Sequence, residues 1–191
     1  MHPLFGIPVG LALSAAAGLR IFVPLFLTGA AARMGLLPLS PGMAWIGSDV
    51  ALVAFATATL LEIVAYYVPW LDNLLDTIAT PAAVTAGIMI TAAATPELPP
   101  FLRWTLAIVA GGGTAGIVQA STALLRLKSS AFTAGTGNPL VATGELAGSI
   151  VLSFLAVLAP LLALTVVAIL LVVVFSLVGR ILRARRRARA T

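Results

Sequence analysis

The stretch IPVGLALSAAAGLRIFVPLFLTGAAA, Ile7 to Ala32, is long and apolar enough to cross a membrane yet carries one charge, Arg20, near its middle. About a dozen largely apolar residues lie on either side, close to the half-thickness of a hydrocarbon core at about 1.5 Å per residue. A second stretch, VALVAFATATLLEIVAYYVP from Val50 to Pro69, repeats the pattern with Glu62. A lone charge at that depth costs roughly 2.5 to 3.5 kcal/mol on insertion scales, so each group needs a partner or a water-filled cavity. In neighbouring antiparallel helices their depths differ by about one turn, which an arginine side chain covers. The expectation is an Arg20–Glu62 ion pair inside the membrane. Ala54, Ala58 and Glu62 recur every fourth residue, which predicts a small-residue face buried against another helix. Pro24 removes the amide that would bond the Arg20 carbonyl and predicts a bend there. Broken helices at mid-depth form binding sites in transporters. The alternative is that the charges merely lock two helices together.

Composition agrees with a membrane setting. Of the 191 residues, 61% are hydrophobic and 9% charged, against about a quarter charged in soluble domains. Several runs reach helical span length, and none has the short alternation of a membrane β-barrel. The fold class is therefore all-α: a polytopic helical membrane bundle with broken or kinked helices. The absence of cysteine excludes disulfides and thiolate chemistry. The net charge of +5 comes mainly from Arg180, Arg183, Arg185, Arg186, Arg187 and Arg189. Directly after a span, such a tail reads as a cytoplasmic anchor rather than an RNA-binding segment, and no nucleic-acid partner is expected. Residues 1–179 thus read as one transmembrane domain and 180–191 as a basic cytoplasmic tail. Met1 to Ala17 is not read as a signal peptide, because no Lys or Arg precedes it and apolar sequence continues past it.

Along the chain, Gly10, Ser14 and Gly18 form a small-residue ridge on the first span. A Pro- and Gly-broken loop covers Met34 to Asp49, with Ser48 placed to cap the second span. Trp70 to Thr80 reads as an interfacial helix carrying Asp72 and Asp76, too few ligands for a hard metal. Thr80-Pro81 reads as the start of a third helix, Ala82 to Thr95, whose Ala, Thr and Gly content predicts shielding from lipid. A fourth helix, Phe101 to Leu127, contains Gly111, Gly112, Gly113 and Gly116 and the polar Gln119, and ends at Arg126 and Lys128. Its glycines lack the strand and Lys-Ser/Thr of a phosphate loop, so they read as helix packing. Ser129 to Gly144, with Asn138-Pro139, reads as a long loop. Glu145 to Val178 reads either as one long helix kinked at Pro160 or as a half-helix plus a span. This gives five spans, or six if the last run crosses twice. The pairs Gly47-Ser48 and Gly148-Ser149 hint at an internal repeat.

These residues also carry a resemblance. Gly18-Leu19-Arg20 with Pro24, Gly29 and Arg33, Leu61-Glu62 leading to Pro69, Asp72 and Asp76, and Asn138-Pro139 leading to Glu145 resemble a bacterial integral-membrane family known as domain of unknown function forty-one twenty-six. The chain departs from it at Tyr66, where the family often has an acid, and at Thr80, where it often has an arginine. The resemblance implies a helical protein of a bacterial inner membrane and brings no activity with it.

The leading expectation is a small transporter or channel-like protein that handles a small solute, ion or lipid head group. The substrate-binding or ion-pair candidates are Arg20, Glu62, Glu145 and Gln119, with Asp72, Asp76 and Asn138 behind them. The alternative is a non-transporting scaffold or regulatory subunit whose buried charges fix helix packing. A polar cavity reaching Arg20 would favour the first, and a dry pair the second. Catalysis is not expected, since His2 is the only histidine and Lys128 the only lysine, and the same inventory predicts no metal or cofactor. The expected partners are membrane lipids, a small solute or ion, and a second copy of the chain through the small-residue ridges.

Overall fold

The computed structural model describes residues 5–133 and 136–188; the side chains of 69–77, 178 and 181–188 lie outside the described set. The architecture is all-α, with no strand among the described residues. The helices are α1 (Gly6–Ala17), α2 (Phe22–Arg33), α3 (Asp49–Ala65), α4 (Pro69–Ala94), α5 (Pro100–Leu106), α6 (Gly113–Thr133), α7 (Asn138–Leu158) and α8 (Pro160–Ala188).

The expected first span is two half-helices. The 12 residues of α1 rise about 18 Å, too short to cross. Gly6 and Gly10 of α1 lie against Ala94 and Thr91 of α4, and Ser14 donates to the Gly87 carbonyl at 2.8 Å, so the two helices run antiparallel. Ser40 returns to the same level, its amide bonding the Ala93 carbonyl at 2.8 Å and its hydroxyl the Ala92 carbonyl at 2.6 Å. Arg33, Leu37, Leu39 and Ala44 line one cleft beside it. The end of α2 therefore lies level with the start of α1. The two form a helical hairpin, and its tip is Gly18 to Ile21. The break lies upstream of Pro24, which sits in the first turn of α2, where a missing amide costs nothing.

Helix α3 runs antiparallel to α2, from the exposed Arg33–Asp49 pair at 2.6 Å to Glu62 beside Ile21 and Phe22. As expected, Ser48 caps it, accepting from the Ala51 amide at 3.2 Å. Its Ala54–Ala58 face is not buried as expected: Ala54 is exposed and Ala58 half-buried, leaving Ala51 and Glu62 as its buried residues. One continuous α4 replaces the expected interfacial helix and third helix, with Pro81 inside it. The expected shielding holds, since Ala83, Ala86, Ile90 and Ala92 to Ala94 are buried.

Small residues allow the central contacts. A Cβ on Gly18 would lie 2.7 Å from Val118 Cβ, and one on Gly87 would lie 2.6 Å from Ala115 Cβ, so α1, α4 and α6 meet backbone to backbone. Ser14 and Thr91 share a hydroxyl hydrogen bond of 2.7 Å inside this contact. The glycine run is also where the helix widens into a π-helical turn, Ala107–Gly112, packed on Thr91 and Ile88.

Two further expectations are corrected. Most of Ser129 to Gly144 is helical, because α6 continues to Thr133 and α7 starts at Asn138. The run after Glu145 divides at Ala159 (φ −143°, ψ 69°) into α7 and α8, each of span length. The repeat is not matched locally either: Gly47-Ser48 opens a helix, whereas Gly148-Ser149 lies in the middle of α7. Among the described residues, three helical stretches, Pro100–Thr133, Asn138–Leu158 and Pro160–Leu177, are long and apolar enough to cross a membrane.

Candidate functional site

The hairpin tip gathers the buried charges. Arg20 is 2% exposed, Arg126 4%, Glu145 5% and Glu62 6%. Four elements supply them: the tip, α6, α7 and the end of α3.

Glu62 does not pair with Arg20 as expected. Its two oxygens accept from the backbone amides of Ile21 at 2.9 Å and Phe22 at 3.1 Å. Breaking the first span exposes the opening amides of α2, and a carboxylate there satisfies them and complements the helix dipole. The side chain thus caps a helix from another element.

Arg20 instead donates from Nη2 to the Ala142 carbonyl at 2.7 Å and lies 3.7 Å from Glu145 Oε2. Glu145 is held more closely by Arg126, whose Nε donates to Oε1 at 3.0 Å and whose Nη2 contacts Oε2. This two-pronged pairing is the geometry in which arginine binds carboxylate best. Both guanidiniums pack on Tyr66, with Arg20 Cζ 3.8 Å and Arg126 Cζ 4.0 Å from the ring centroid. The ring's electron-rich faces attract the two cations, and Glu145, in contact with both, offsets their mutual repulsion. Among the described residues, Arg20 Nε and Nη1 are buried without a hydrogen-bond partner.

Of the predicted site residues, the structure brings together Arg20, Glu62 and Glu145. Gln119 is buried on α6, and no described contact joins it to the guanidiniums. Asn138 lies at the start of α7, donating to Ser130 Oγ at 3.0 Å across the α6–α7 turn. The side chains of Asp72 and Asp76 lie outside the described residues. Arg126 and Tyr66 were missed as members of the site. Arg126 reads as a helix-end charge beside Lys128, and the one signal against that is its flanking by Leu124, Leu125 and Leu127. Tyr66 sits four residues after Glu62, one turn along the same face.

A pocket of about 350 Å³ between α2, α3 and α4 reaches Glu62 and Tyr66. Its remaining lining is apolar.

No curated protein and no solved structure matches the chain. A family model described as a domain of unknown function (DUF4126) matches residues 7–180, nearly the whole length over which these helices and charges are arranged, and the chain belongs to that family.

Proposed function

We propose that this protein is a small carrier of the bacterial inner membrane that holds an anionic solute at Arg20. In this reading α3, α4, the α5–α6 rod, α7 and α8 make five crossings, and α1–α2 is a re-entrant hairpin entering from one face. The basic tail and Lys128 then share the cytoplasmic side, and the N-terminus lies outside, as the positive-inside rule prefers. Irregular backbone at mid-depth occurs where it is buried in protein or lines a cavity, as at re-entrant loops and transporter sites.

One observation carries the proposal: a guanidinium almost wholly buried at a helix break, with Nε and Nη1 unpartnered. Burying a polar group without a hydrogen bond costs about 1–3 kcal/mol, more when it is charged. A solute that brings oxygen acceptors recovers that cost. Arg126 is committed to Glu145 and Glu62 to the α2 amides, so neither competes for such a solute. A scaffold is the second reading, favoured by how little of the cluster is exposed.

The test is anion flux into liposomes, using the native chain, Arg20→Gln and Arg20→Lys, with thermal unfolding run alongside. Flux lost in Arg20→Gln at an unchanged unfolding midpoint supports the carrier. Native and Arg20→Gln proteins that are equally inert, or equally active, refute it.

A further inference from the structure

We infer that Glu62 is a proton site coupled to the anion at Arg20, so that one proton moves with each monovalent anion and no net charge crosses. The inference rests on the carrier reading above and adds the ion that travels with the solute. It starts from a charge balance. Among the described residues, the buried cluster holds two guanidiniums, Arg20 and Arg126, and two carboxylates, Glu62 and Glu145. Without a ligand these four charges cancel. An anion on Nε and Nη1 of Arg20 adds a negative charge with no counter-charge, in a buried site where charges are screened least. A proton on one carboxylate restores the balance.

The two carboxylates differ in what a proton disrupts. Glu145 lies 3.7 Å from Arg20 and is held by Arg126 through two contacts, so protonating it breaks charge-assisted bonds to a cation. Glu62 makes no ion pair among the described residues, and its oxygens accept the Ile21 and Phe22 amides. Arg20 and Arg126 are the charges that act on it, with Tyr66 one turn along α3 and Glu145 held by the same two arginines. The described α4 residues nearby, Ile78, Ala79 and Ala82, are apolar. Proton uptake also acts on the anion site. A carboxylate accepts at both oxygens, whereas the protonated acid turns one of them into a donor. The bond to one of the two amides is then weakened, and those amides belong to the residues directly after Arg20 in the hairpin tip. Loading the proton thus loosens the segment that encloses Arg20, and releasing it restores the latch. Water at one face gives the proton to a Glu62 oxygen as the anion meets Arg20, and both are released at the other face.

The experiment uses the full-length protein in liposomes, with nitrate and methanesulfonate as probes. Both are anions of strong acids, so passive entry of the neutral form is negligible. With the membrane potential clamped at zero and the outside acidic, each pH unit should drive about tenfold accumulation, because one proton enters with each anion. A dye inside the liposomes counts those protons. A membrane potential without a pH gradient should accumulate neither probe. Accumulation driven by the potential overturns the coupling and leaves the carrier standing, whereas no flux of either probe refutes both. Glu62→Gln should still pass the probes down their own gradients but respond to potential instead of pH, and pH-driven accumulation that survives in this variant overturns the assignment. A second measurement needs no variant. Dicyclohexylcarbodiimide, which modifies protonated carboxyls in apolar surroundings, should label Glu62 of the native protein increasingly as pH falls and spare Glu145. Mass spectrometry that finds no label on Glu62, or label on Glu145 in its place, overturns the proposal.

Discussion

Replacing Glu145 by glutamine tests how the buried charges are shared. In the native chain this carboxylate pairs with Arg126 through two contacts and lies 3.7 Å from Arg20. The substitution keeps side-chain volume but leaves two cations against one aromatic ring without the carboxylate that contacts both. Breaking a buried pair from one side costs about 3–5 kcal/mol, because the remaining charge stays buried. Glu62→Gln should cost less, about 1.5–3 kcal/mol, since it weakens charge-assisted bonds to two amides while one amide keeps an oxygen acceptor. Arg126→Gln should resemble Glu145→Gln, and the double variant should fall short of their sum by more than about 1 kcal/mol, because the two residues share one interaction. Unfolding by SDS titration in mixed micelles measures all four variants. The assignment is refuted if Glu62→Gln is the more damaging of the two glutamate substitutions, which is the order an Arg20–Glu62 pair would give. Additive behaviour of Glu145 and Arg126 would refute it equally.

Further outcomes follow from the same contacts. Tyr66→Phe should keep most of the stability and Tyr66→Leu should lose about 1–3 kcal/mol relative to it, because the phenylalanine ring still faces both guanidiniums; SDS unfolding separates the two. Gly87→Ala should destabilise by about 1–3 kcal/mol through its clash with Ala115, read as a drop in thermal midpoint. Arg33→Ala should change stability by less than about 1 kcal/mol, because the pair with Asp49 is solvent-exposed, and a larger loss in the same melt would refute that. As the chain has no cysteine, single cysteines at Met34 and Thr136 can report sidedness. An impermeant maleimide added to intact cells should label Met34→Cys and not Thr136→Cys, and the reverse pattern would invert the proposed orientation.

Much of the helical layout is local chemistry and was legible. Apolar run lengths gave an all-α chain with span-length helices, and Ser48 before Asp49 marked a capped start that the structure keeps. The ridge Gly10, Ser14 and Gly18 marked the face on which α1 meets α4 and α6. Helix limits were less legible where a breaker was overruled. Pro81 lies inside α4, and the segment around Asn138 is helical, because tertiary packing outweighs local propensity there.

The sequence by itself determined which side chains had to find partners, since a charge in an apolar helix is too costly to leave alone. Arg20, Glu62 and Glu145 could all be named on that ground. Only the tertiary structure decided who pairs with whom. Folding the first span back on itself at Gly18 to Ile21 created free amides, which Glu62 satisfies in place of Arg20. That choice left Arg20 to share Glu145 with Arg126, a residue from a helix more than a hundred positions away in the chain. A hairpin tip exists only once several helices surround it, and no spacing along the chain encodes that.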